Sequence, residues 1–147
     1  MKLSDLQLNN GQLEGLPANP RYIETEDFEQ LKLRLLRMPQ YLRHNPIKVD
    51  ENNIILGGNM RYRALQELAE EKAIAVWTDN AGVEHTHAFC DEIPAEWVVT
   101  LNDYTIEQKR AIVLLDNAQN GKDDLERLAN EWSEAEINDW GNGLPED

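Results

Sequence analysis

The sequence is short of the features that place a chain in a membrane or outside the cell. Cys90 is the single cysteine among the 147 residues, so an internal disulfide is excluded. No apolar run approaches the length of a membrane-spanning helix. Residues 1–5 lack the apolar stretch that begins a secretory signal. We therefore expect a cytoplasmic protein with no membrane contact.

Positive charge is also scarce, and it is unevenly distributed. The chain has 14 Lys and Arg residues against 28 Asp and Glu, for a net charge of -14. Residues 1–75 carry ten of these cations and eleven of the acids, whereas residues 76–147 carry four and seventeen. An acidic chain repels a polyanion, so direct DNA binding is predicted to be weak or absent. The cations that could gather on one face, and that suit a small phosphorylated ligand, are Arg21, Arg34, Arg37, Arg43, Lys48, Arg61 and Arg63.

What is present predicts one folded α+β domain. Hydrophobic residues make up 41% of the chain, enough for a real core at this length. Hydrophobic periodicity predicts strands over residues 46–50, 53–56, 73–78, 83–89 and 95–101. It predicts helices over residues 25–38, from Asn59 onwards, over residues 105–118 and 123–132, and after Ser133. Thr105 and Gln108 have the spacing of a capping box.

The most informative stretch is an apolar strand, a double glycine and the start of a helix, over residues 54–65. Gly57 and Gly58 permit a tight turn and close backbone approach. The free N–H groups and the dipole of a helix that begins at Asn59 favour an anion beyond the turn. Arg61 and Arg63 supply fork-shaped donors for phosphate oxygens. The alternative is a turn in which glycine only permits the bend and the arginines are solvated.

These residues resemble a known family. Residues 58–64, Gly-Asn-Met-Arg-Tyr-Arg-Ala, resemble the G-E-R-R-W-R-A box of ParB-like domains. Residues 16–21, which contain Asn-Pro-Arg, resemble that family's first box in a shortened form. The likeness covers residues 1–78, and the remainder is similar to the tail of small ParB-like proteins of phages and mobile elements.

The resemblance implies a ParB/sulfiredoxin-like fold, with a small mixed sheet, flanking helices and an acidic helical extension at the C-terminus. Residues 1–101 are then the ParB-like domain, and residues 102–147 are the extension, packed on the same domain. Sulfiredoxin relatives use a cysteine where this chain has Asn59, and an amide cannot act as a thiolate nucleophile. Sulfiredoxin chemistry is therefore not expected.

The family binds nucleotide phosphates at its two boxes, and its chromosome-segregation members slowly hydrolyse CTP with Mg²⁺. The resemblance thus implies a nucleotide or another phosphorylated small molecule as ligand, CTP with Mg²⁺ first, and weak or no hydrolysis in a DNA-associated process of a mobile element. The implied binding residues are Asn19, Arg21, Gly57, Gly58, Asn59, Arg61 and Arg63. No catalytic residue is assigned, and no metal site made of protein ligands alone is expected.

Two alternatives stay open at this point. The acidic C-terminal half, with Trp132 and Trp140, suits a non-enzymatic module that binds a protein partner. Some ParB-like relatives are labelled nucleases, which need carboxylates that converge on metal ions. His85 and His87 share one face of their strand and are candidate metal ligands, although exposed strand histidines are the default. Cys90 is expected to be buried.

Overall fold

The computed structural model describes residues 1–19, 21–22, 25–120, 122–123 and 131–140. Its helices are α1 (Thr25–Arg37), α2 (Asn59–Glu70), α3 (Ile106–Asn120) and α4 (Glu134–Trp140). Its strands are β1 (Arg21–Tyr22), β2 (Ile47–Val49), β3 (Ile55–Gly57), β4 (Ile74–Thr78), β5 (Glu84–Ala88), β6 (Val98–Thr100) and β7 (Lys122–Asp123). The predicted α+β class is confirmed.

The central sheet is small and mixed, as predicted. Strand β2 lies in the middle, antiparallel to β3 and parallel to β6. Every residue of β3 is buried, because successive side chains point to opposite faces and both faces are covered. Ile55 points into one hydrophobic core and Leu56 into the other.

The two cores divide the helices between them. Helices α1 and α2 cover one face of the sheet, where their apolar stripes meet residues from β2 and the hairpin. Helix α3 packs against β3 on the other face of the sheet, and α4 packs against α3. The residues of this second core are Leu16, Leu56, Val113, Leu114, Trp132 and Ile137. Trp132 is buried, whereas Trp140, at the end of α4, is exposed.

Arg110 connects the second core to the chain around it. Its guanidinium donates to both carboxylate oxygens of Glu136, at 2.8 and 2.9 Å, and to the carbonyl oxygens of Gly15 and Glu131. The same group lies 5.4 Å from the ring centre of Trp132. One side chain of α3 therefore holds α4 and an N-terminal segment together.

The local signals at the helix starts are confirmed. The Thr105 N–H donates to Gln108 Oε1 at 2.9 Å, and the Gln108 N–H donates to Thr105 Oγ1 at 3.2 Å, which is a capping box. Ser133 and Glu136 repeat the arrangement at the start of α4.

Two predicted elements differ from the structure. The predicted strand over residues 95–101 begins instead with a 3₁₀ turn, Ala95–Trp97, because Pro94 precedes it and the Trp97 ring is buried beneath the sheet. The predicted helix over residues 123–132 starts too early, since Asp123 pairs with Arg21 between β7 and β1. Residues 124–130 lie outside the described residues.

The predicted hairpin of β4 and β5 is present, with Trp77 opposite His85. The two rings stack with centres 5.5 Å apart, and His87 packs against Phe89 and Trp97. Among the described residues no group of three or more His, Cys, Asp or Glu side chains could hold a metal ion. Cys90 was expected to be buried, but it is exposed at the bend after β5, so that prediction is wrong. None of the described helices is both long enough and apolar enough to span a bilayer.

Replacing His87 with glutamine is expected to make the free energy of unfolding fall less steeply as the pH is lowered. Burial between two aromatic rings lowers the pKa of His87 below its ordinary 6.5. The unfolded chain therefore takes up this proton at a higher pH than the folded chain, and the free energy of unfolding falls as pH drops below 6.5. Glutamine cannot take up the proton, so this part of the slope disappears.

Urea denaturation at about pH 7.5 and about pH 5.5 measures the effect of His87. The free-energy gap between the wild type and His87→Gln should shrink or reverse at the lower pH. His44→Gln is the control, because His44 is exposed and its replacement leaves the aromatic cluster intact. A gap that is the same at both pH values contradicts the prediction.

Candidate functional site

The glycine turn has the predicted strand–turn–helix form. Gly58 is the residue before α2, with a φ of 103°, and an added Cβ there would lie 3.2 Å from the Cα of Ile47. Glycine is therefore required both for its backbone angle and for space. Because glycine has no side chain to cap the helix, and the first turn of α2 has no acidic residue, its first N–H groups keep their positive potential.

A polar cavity of about 250 Å³ lies beside the first turn of α2. The residues that line it are Leu8, Asn9, Asn10, Ala18, Asn19, Asn59, Met60 and Arg63. It brings Asn19 of the first box together with Asn59 and Arg63 of the second box. Of the residues singled out in the sequence, these three meet at one place.

Asn59 is the unusual member of this wall. It is only 5% exposed, and its side-chain oxygen is buried with no hydrogen-bond partner among the described residues. A buried acceptor without a partner costs about 1–3 kcal/mol. Because Asn59 lines the cavity, its amide group is a candidate partner for a bound water, a metal ion or a ligand donor.

Arg63 lies at the edge of the cavity and is exposed. Its guanidinium carbon is 5.5 Å from the ring centre of Phe28, and Nη1 is 4.0 Å from the sulfur of Met60. These contacts are weak compared with a charge-assisted bond to phosphate. The Arg63 side chain can therefore exchange them for an anion in the cavity.

Arg61 has a different position from the one its role in the box suggests. It is buried, its Nη2 donates to the Pro46 carbonyl at 3.2 Å, and the same atom is 2.9 Å from the Cβ position at Gly58. Burial lowers the pKa of Arg61, and the nearby charge of Asp116 opposes the shift. Arg61 therefore supports the turn from behind, and a direct phosphate contact by it stays a prediction.

Arg21 belongs to β1, whose backbone pairs with β7. Its side chain lies outside the described residues, so the side chains of the first box are described only from Leu16 to Asn19.

Two residues of α3 contact residues of the two boxes and were not singled out in the sequence. The carboxylate of Asp116 packs directly on Gly57, where an added Cβ would be 2.5 Å from its carbon, and it pairs with Lys48 Nζ at 3.1 Å. Asn117 is fully buried, and its amide donates to Asn19 Oδ1 at 2.7 Å. The signal for both was two adjacent polar residues directly after the apolar run of α3.

Together these groups form a concave polar site at an uncapped helix N-terminus, which is chemically suited to an anion. Comparisons with protein-family models, curated proteins and solved structures found no match to this chain.

Proposed function

We propose that the chain is a ParB-like nucleotide-binding domain that holds the ligand's phosphates in the cavity beside α2. The observation that carries the proposal is Asn59, which lines a cavity with Asn19 and Arg63 and whose buried side-chain oxygen has no partner among the described residues. A side chain that served only the fold would bury an apolar group there at lower cost.

The phosphate contacts follow from the geometry of the turn. The N–H groups that begin α2 have no side-chain cap and favour negative charge near the first turn, beside which the cavity lies. Arg63 adds a charged donor at the mouth. The hydrogen bond from Asn117 holds the Asn19 side chain at the opposite wall, so the binding groups are positioned before the ligand arrives.

A Mg²⁺ ion would be held chiefly by the phosphates of the ligand. An amide oxygen such as that of Asn59 repels a phosphate oxygen, but it can accept from a metal-bound water. Asp116 packs on Gly57, but it pairs with Lys48 and lines a different cavity, so phosphates and waters would be the main ligands of the ion. The ion would supply charge neutralisation for the phosphate chain.

The cavity also bears on ligand size and turnover. Its 250 Å³ is below the roughly 300–1,000 Å³ of most ligand pockets, so a phosphate chain fits inside and the base lies at the mouth. None of the described residues that line it carries a carboxylate that could act as a general base. Binding of a nucleotide such as CTP with weak or no hydrolysis is the function that this arrangement supports best.

A thermal-shift screen tests the proposal. CTP, ATP, GTP and inorganic phosphate are added to the whole chain, each with Mg²⁺ and with excess chelator. A ligand at about 100 times its Kd stabilises the folded state by about 2.7 kcal/mol, which raises the melting temperature by several degrees. We expect this rise with a nucleotide and Mg²⁺, and a smaller one with chelator. An unchanged melting temperature with all four ligands would end the proposal.

A further inference from the structure

One segment of this acidic chain is free of acidic residues. Residues 30–49 contain neither Asp nor Glu, in a chain whose net charge is -14. Three exposed arginines lie in this segment, Arg34 and Arg37 in the last turn of α1 and Arg43 at the end of the 3₁₀ turn Pro39–Arg43. The turn packs back against α1, so the three share one end of the fold.

These three guanidinium groups differ from the nearby lysines. Lys32 pairs with Glu71 at 2.7 Å and Lys48 with Asp116 at 3.1 Å, whereas none of the three arginines has a carboxylate of the described residues within 4.0 Å. A cation at the C-terminus of α1 is favoured by the helix dipole, which accounts for Arg34 and Arg37. It does not account for Arg43, which lies beyond the helix.

Exposed apolar and aromatic side chains lie between these arginines. Tyr41 is 53% exposed, and Met38 is 54% exposed. The rings of Tyr41 and His44 are 6.5 Å apart, and Arg43 Nε lies 3.4 Å from His44 Nε2. Arg43, His44 and Tyr41 thus form one continuous surface, and it lies at the same end of the fold as Arg34 and Arg37.

We infer that this arginine–tyrosine surface (Arg34, Arg37, Met38, Tyr41, Arg43 and His44) binds single-stranded nucleic acid. Guanidinium groups bind the phosphates, and the exposed rings offer a face on which a base stacks. An acidic peptide would use the arginines but not the rings. A long duplex would extend over the acidic remainder of the molecule and be repelled by it. The surface is separate from the cavity beside α2, so the inference does not depend on the proposed nucleotide site.

Fluorescence anisotropy with a labelled oligothymidylate of about twelve nucleotides, at about 50 mM salt, tests the inference. The whole chain should bind it. The Arg37→Glu/Arg43→Glu variant should bind at least about tenfold more weakly, and Arg37→Gln/Arg43→Gln should lower the slope of log K against log salt by about 0.7 for each phosphate that is no longer neutralised. Tyr41→Ala should weaken binding about fivefold or more, which is the stacking contribution of one base.

A matched control distinguishes binding by this local surface from a general effect of the protein's net charge on binding. Lys2→Glu/Lys72→Glu changes the net charge by the same amount at exposed lysines outside the surface, and it should leave most of the affinity. Melting curves check that each variant is folded. Three results would each overturn the inference: no binding by the wild type, equal losses of affinity in the two charge-reversal variants, or polyglutamate competing as well as the oligonucleotide with no effect of Tyr41→Ala.

Discussion

Replacement of Lys109 by methionine is expected to lower the free energy of unfolding by about 3–5 kcal/mol. The Lys109 side chain is 5% exposed, and its ammonium lies 3.1 Å from Asp50 Oδ2 and 2.8 Å from Glu51 Oε1. Asp50 is fully buried and also accepts the backbone N–H groups of Asn52 and Ile54. Methionine fills the space but leaves the Asp50 charge in the interior without a counter-charge.

The pH dependence of this ion pair shows at which pH its contribution to stability should be measured. Burial lowers the pKa of Lys109, but the hydrogen bonds and charges of Glu51 and Asp50 outweigh burial and raise it above 10.5. Stability from a raised lysine pKa is fully present below the unfolded value and is lost only in strongly alkaline solution. Urea denaturation at neutral pH therefore measures the whole contribution.

Two further variants identify the cause of the Lys109 effect. Glu51→Gln removes the exposed partner and should cost far less, because exposed ion pairs contribute little. Asp50→Asn keeps an amide oxygen for the turn, so the double variant Lys109→Met/Asp50→Asn should recover most of the stability that Lys109→Met alone removes. Destabilisations that simply add in the double variant would show that the two side chains are not coupled.

Replacement of Asn59 by leucine is expected to separate binding from stability. The substitution removes a buried polar group that has no partner among the described residues, so the free energy of unfolding should stay the same or rise by about 1 kcal/mol. Nucleotide affinity should fall at least about tenfold, since that is the usual effect of removing one hydrogen bond to a charged or metal-bound group. Calorimetric titration and denaturation of the same preparation measure both quantities.

Met60→Leu is the matched control for Asn59→Leu. Met60 lines the same cavity but offers no amide, and leucine keeps its volume. This variant should retain nucleotide affinity. If Asn59→Leu unfolds the protein, Asn59 has a structural role that the described hydrogen bonds do not show. If it binds nucleotide as well as the wild type, the buried oxygen is not part of the binding site.

Local chemistry made much of the fold predictable from the sequence. The Thr105–Gln108 capping box, the hairpin turn over residues 79–82 and the double glycine act within a few residues, and each was found where predicted. The fourfold spacing of Met60, Ala64 and Leu68 in the sequence indicates one buried helix face, and all three residues are buried. Such signals depend on backbone geometry and helix period, which distant residues seldom override.

Contacts between distant segments could not be predicted. Lys109 pairs with Asp50 and Asp116 packs on Gly57, and each pair is separated by 59 residues in the sequence, so neither pairing has a local signal. Arg61 was placed at the phosphate site because of its charge. It lies four residues before buried Leu65 and seven before buried Leu68, which was the available signal that it faces the core. The Pro46 carbonyl that accepts its hydrogen bond comes from another element.

The most direct test of the phosphate site is a titration of ¹⁵N-labelled protein with Mg²⁺–CTP, followed by amide resonances in NMR spectra. The account predicts shifts concentrated at the backbone N–H groups of Gly58, Asn59 and Met60 and at the side-chain amides of Asn19 and Asn59, with no comparable shifts from cytidine, which has no phosphate. Shifts confined to other surfaces, or spectra unchanged up to millimolar nucleotide, would contradict it.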